Sequence, residues 1–113
     1  MKKVLFFAPA LSLLLSALGS VSATAADHKF KICDLQSHTG SNSAYMKPCN
    51  GWTSKNSCPG NGWLTWDISV GQGKSMYATA LTALSTDKSV TVRLDGSSCN
   101  HYDKTSMVRM SHN

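Results

Sequence analysis

The chain has 113 residues, with 11 Lys/Arg against six Asp, no Glu and a formal net charge of +5. That length excludes a multidomain enzyme or a membrane channel, and the absence of heptads excludes a coiled coil. No run of Lys/Arg marks a nucleic-acid tract.

Met1-Lys2-Lys3 is a basic start, residues 4–18 are mostly apolar, and Ala23-Thr24-Ala25 has the small-x-small form of a signal-peptidase site. Residues 1–25 read as a secretory signal peptide, too short and serine-broken for a membrane span. A single exported domain over residues 26–113 is expected, secreted or periplasmic, with no membrane insertion. Setting aside Lys2 and Lys3 leaves nine Lys/Arg against six Asp, a charge of +3 spread along the chain.

Phe30 and Ile32 alternate with Lys29, Lys31 and Cys33, which predicts a first strand. Residues 38–43 (His-Thr-Gly-Ser-Asn-Ser) form a turn by composition. Residues 44–49 read as a short returning strand that Pro48 places near an edge, followed by a loop over residues 50–62. Leu64, Trp66, Ile68 and Val70 share one face of a strand over residues 63–70, and Gly71-Gln72-Gly73 breaks it. Residues 74–84 predict a helix whose buried stripe is Met76, Tyr77, Ala80, Leu81 and Leu84. Val90, Val92 and Leu94 give a fourth strand, Asp95-Gly96 a turn, and residues 106–110 a fifth strand with Val108 and Met110 inward. Three strands, a helix and two strands suit a mainly β, α+β domain, most simply a small OB-like five-stranded barrel with one helix.

Cys33, Cys49, Cys58 and Cys99 are an even set in a chain read as exported, so two disulfides are expected. No C-x-x-C or H-x-x-x-H spacing points to zinc, and no metal or cofactor is expected. Of the three possible pairings, Cys49–Cys58 would pin the Gly-, Asn- and Ser-rich loop between them, which leaves Cys33–Cys99. No carboxylate pair sits on one element, no serine lies in a nucleophile-elbow pattern, and oxidised cysteines do no thiol chemistry. A non-enzymatic domain is expected. Trp66 shares the core face, whereas Trp52 in the polar loop and Trp63 on the opposite strand face are candidates for exposure. An exposed indole among Asn, Ser and Lys is suited to stacking on a sugar while neighbours bond its hydroxyls. His38, Thr39, Ser41, Tyr45, Trp52 and Lys55 are the candidate ligand-binding residues. Arg93 and Lys31 face outward by alternation and could meet an acidic sugar.

His38-Thr39-Gly40, then Tyr45, the close cysteines Cys49 and Cys58, Trp63/Trp66, the helix with Tyr77 and Leu81, and Val90-Thr91-Val92-Arg93-Leu94 stand together in this order. Over residues 30–99 this resembles the B subunits of subtilase cytotoxin and of the pertussis and typhoid toxins. The resemblance implies an OB-fold domain that binds a cell-surface glycan, assembles as a homo-pentamer and partners an enzymatic A subunit. A serine upstream of the His-Thr-Gly turn contacts sialic acid in that family, and on ungapped spacing its position here is Phe30. The resemblance therefore implies a binding module without naming the ligand. The alternative class is a periplasmic or secreted inhibitor or interaction domain acting on a protein target.

Overall fold

The computed structural model describes residues 26–112; the expected signal peptide lies outside them. Five strands and one helix follow in the order β1 (Asp27–Ser37), β2 (Ser43–Pro48), β3 (Leu64–Asp67), α1 (Gly71–Ser85), β4 (Ser89–Asn100) and β5 (Tyr102–Arg109). The sheet closes as β1-β2-β3-β5-β4, with β1 bonded to both β2 and β4. Only the β3–β5 pairing is parallel. This is an OB-like barrel: the helix between β3 and β4 carries the chain across, and each strand is bonded to a neighbour on both sides over part of its length.

Period-two patterning fills the interior. Ile32, Ala44, Met46, Leu64, Trp66, Val90, Val92, Leu94 and Val108 point inward, and Ala80 and Ala83 of α1 close the core. β3 ends three residues earlier than hydrophobic alternation to Val70 suggests. The Asp67 carboxylate accepts from Ser69 N–H (2.7 Å) and Ser69 Oγ (2.6 Å), a side-chain turn that redirects the chain. Val70 is left exposed and caps the helix with its backbone.

The helix starts at Gly71, inside the expected break. Gly73 is buried, and a Cβ there would overlap the Asp67 carbonyl oxygen. Glycine is poor in helices, yet here it lets the first turn lie directly on the end of β3, where Trp66 Nε1 donates to Gly73 O at 2.9 Å. The buried stripe is Gly73, Ala80 and Ala83, flanked by half-buried Met76, Tyr77 and Leu84. Leu81 is a correction to the expected stripe: it is 47% exposed. The small alanines draw the helix close along the 73-76-80-83 line, and position 81 lies a further 100° round the helix, facing water.

β4 continues through Asp95-Gly96, where a turn is expected. Leu94 pairs with Thr105 and Cys99 with Asp103, so the residues between Leu94 and Cys99 bulge out of the ladder. The reversal comes instead at His101, whose φ of 64° lies in the left-handed region.

The disulfide pairing also departs from expectation. The bridges are Cys33–Cys49 and Cys58–Cys99, so neither Cys49–Cys58 nor Cys33–Cys99 forms. Ile32 pairs with Pro48 across β1 and β2, and Cys49 N–H donates to Lys31 O, so the register brings Cys33 beside Cys49 at a Cα separation of 4.7 Å. Cys58 instead ties the long loop to Cys99 at the far end of β4. The close cysteines that contribute to the family resemblance are thus not bonded to each other.

Candidate functional site

The loop between β2 and β3 is built around Asp103, which is fully buried at the start of β5. Its Oδ2 accepts from Trp52 Nε1 (2.9 Å) and Lys55 N–H (2.8 Å), and its Oδ1 from Ser54 Oγ (2.7 Å) and Asn56 N–H (3.3 Å). Burial opposes ionisation of Asp103. The hydrogen bonds donated by Ser54, Lys55, Trp52 and Asn56 outweigh it and hold the carboxyl below the usual carboxylate range. Ser54 Oγ in turn accepts from Cys58 N–H at 2.8 Å. A segment that reads as floppy is therefore fixed by one carboxylate and one disulfide.

This node decides the place of two candidate residues. The Trp52 indole N–H is spent on Asp103, its ring meets the edges of His28 (5.2 Å) and Phe30 (5.7 Å), and Lys55 Nζ lies 4.8 Å from its centroid. Trp52 is half-buried against the core. Lys55 is exposed, and neither Trp52 nor Lys55 lines the cleft formed by the other candidates.

His38, Ser41 and Tyr45 come together elsewhere. With Gln36, Trp63 and Tyr102 they line an open cleft of about 480 Å³ on the outside of the barrel. The cleft floor is aromatic: Tyr45 meets Tyr102 edge to face at 6.1 Å, and His38 meets Tyr45 at 5.6 Å. Its rim is polar. His38 Nε2 donates to Gln36 Oε1 at 2.6 Å, which fixes the ring across the cleft mouth. The His38–Ser41 backbone hydrogen bond closes the turn, where Gly40 takes a φ of 81°, and Ser41 Oγ accepts from Ser43 N–H. Thr39 is exposed at the tip of that turn and is not among the lining residues. Tyr102 rests on Gly60: a Cβ there would come within 2.5 Å of the ring, so the Asp103-anchored loop sets the height of the cleft floor.

Gln36, Trp63 and Tyr102 are the lining residues absent from the candidate set. Gln36 had a legible signal, since it lies two residues before His38 and so shares its face. Trp63 was legible as a residue off the core face. Tyr102 had none, because its place depends on the left-handed turn at His101.

No Asp, Glu, Lys or Arg lines the cleft, and Lys47 Nζ lies 5.8 Å from the Trp63 ring centroid. Among the described residues, no three His, Cys, Asp or Glu side chains converge on a metal-sized site. Comparison with known protein families, with curated proteins and with solved structures finds no match to this chain.

Proposed function

We propose that this protein is an exported, non-enzymatic glycan-binding module, similar in kind to toxin B subunits, and that the cleft of Gln36, His38, Ser41, Tyr45, Trp63 and Tyr102 holds the sugar. The observation that carries the reading is the cleft's composition: three large aromatic rings, hydroxyl and amide groups at the rim, and no charged lining. Sugar rings present apolar C–H faces and neutral hydroxyls, which such a surface complements. OB barrels commonly bind oligosaccharides or oligonucleotides on strands 2 and 3, between the β1–β2 and β4–β5 loops. The cleft lies there. An oligonucleotide would require a cationic track for its phosphates, and the cleft has none.

Two disulfides favour an oxidising compartment, and the leader-like residues 1–25 supply a route to it. Weak single-site binding gains strength when sites are repeated, by roughly 10²–10⁴ where geometry allows. Ring assembly with an enzymatic partner is the arrangement in which that gain operates. Exposed Val70 and Leu81 provide apolar surface for subunit contact.

A glycan array followed by calorimetry on the best ligand tests the reading. Trp63→Ala and Tyr102→Ala should each weaken binding by roughly three- to tenfold, the range expected for one aromatic contact, with unchanged far-UV circular dichroism. Sedimentation should show a species larger than a monomer. A folded monomer that binds no glycan but inhibits or captures an envelope protein would replace this reading with the inhibitor class.

A further inference from the structure

The net positive charge, dispersed in sequence, is gathered on one face. β1 pairs with β4 and β4 with β5, and directly opposed residues in antiparallel strands share a side. Lys29, Thr91 and Arg109 therefore form one row across three strands. Lys31 and Ser89 form the next row, with Lys88 beside them, and Asp27 and Arg93 the row on the other side. All five cations are exposed. Against them stand two acids: Asp27, bonded by Arg93 Nε at 2.9 Å, and Asp87, 3.2 Å from Lys31 Nζ. Five cations and two acids leave +3 on this face, and the four lysines and four aspartates elsewhere in residues 26–113 cancel. Lys29, Lys88 and Arg109 form no ion pair among the described residues.

We infer that this face binds a linear anionic polysaccharide, with sulfate or carboxylate groups along its length, at a surface separate from the aromatic cleft. The two share no lining residue. The cations are arrayed rather than convergent. Strand spacing separates Lys29 from Arg109 by about 10 Å, and Lys29 from Lys31 by about 7 Å along β1, too wide for one phosphate and matched to successive charges on a chain. A recess of about 600 Å³ runs beside Lys29, Lys31 and Lys88. The hydroxyls of Ser89 and Thr91 lie within it, available to bond sugar or sulfate oxygens. Nucleic acid fits less well, since no Trp, Tyr or Phe lines the recess for a base to stack on. A membrane fits less well too: the exposed large hydrophobics, Val70 and Leu81, lie on α1 and its cap, and the methionines on this face, Met107 and Met110, are half-buried.

The probe is size-fractionated heparin, titrated at 50, 100 and 200 mM NaCl. Lys29→Gln/Arg109→Gln on the face is compared with Lys74→Gln/Lys104→Gln elsewhere; both remove two charges, and circular dichroism checks that each is folded. The face variant should bind at least tenfold more weakly at 100 mM NaCl, and its slope of log K against log salt should fall by roughly two. The other pair should change binding less than twofold. Equal weakening by both pairs would reduce the effect to net charge and overturn the assignment. Absence of heparin binding by the native chain, or tighter binding to duplex DNA or to phosphatidylglycerol vesicles at the same salt, would overturn it as well. None of these readouts uses a neutral glycan, so their failure leaves the cleft reading standing.

Discussion

Asp103 holds the β2–β3 loop to the start of β5 through four hydrogen bonds. Four donors meet two oxygens at a buried carboxylate, and an Asn there would offer one acceptor oxygen and set its NH₂ against N–H donors, with only the Ser54 hydroxyl able to accept from it. Asp103→Asn should cost about 2–3 kcal/mol, the penalty for leaving a buried donor unpaired, seen as a lower urea midpoint with an unchanged m value. The sign with pH follows from the depressed native carboxyl. The unfolded chain ionises near the ordinary value of about 3.9, so the stabilisation is complete above that pH. It is lost as pH falls through the lower native value. The gap between native and Asp103→Asn stabilities should therefore narrow on acidification from about pH 5 to pH 2; a constant gap would show that ionisation contributes nothing. The same node explains why Trp52, a candidate for exposure by sequence, is half-buried. A tryptophan flanked by Gly, Asn, Ser and Lys has no local signal for a carboxylate 51 positions away.

At the scale of elements, the helix separates patterning from packing. Leu81→Asp should fold with little loss, because Leu81 faces water. Ala80→Asp, which would bury an unpaired charge, should not yield folded protein. Gly73→Ala should also be severely destabilising, since the Asp67 carbonyl occupies the space of the new methyl. Expression yield and thermal melts of the three variants check the set, and equal damage from Leu81→Asp and Ala80→Asp would contradict the assigned face. The period-two runs at Val90–Val92–Leu94 and the 3.6-residue spacing of Met76, Ala80 and Leu84 were legible, because each reports one element burying one side. Three features were not. Helical Gly71–Gly73 opposes local propensity and is decided by contact with β3. The bulge at Asp95-Gly96 has the composition of a turn. The cleft joins β1, β2 and β5 residues that only barrel closure makes neighbours.

For the whole molecule, connectivity carries stability that a small core does not. A domain of this size buries a modest fraction of its surface, and cross-links contribute a large share of its net stability. Local spacing favours a short Cys49–Cys58 bridge. The register of the β1–β2 hairpin instead makes Cys33 and Cys49 neighbours, and the β2–β3 loop carries Cys58 to the β4 end of the sheet. The sequence separations are 16 and 41 residues, and in the chain-entropy account these closures contribute about 3 and about 4 kcal/mol. Cys58→Ser/Cys99→Ser should thus be the more damaging pair. Its loss also frees the loop on which Tyr102 rests, so the glycan binding proposed for the cleft should weaken along with stability. Cys33→Ser/Cys49→Ser should lower stability by about 3 kcal/mol, with the β1–β2 ladder still holding the strands in register and the cleft intact. Non-reducing peptide maps establish the pairing, and urea midpoints with glycan titrations separate the two effects. A Cys33→Ser/Cys49→Ser protein that loses glycan binding while remaining folded would mean that the cleft depends on the β1–β2 bridge rather than on the Cys58-tethered loop.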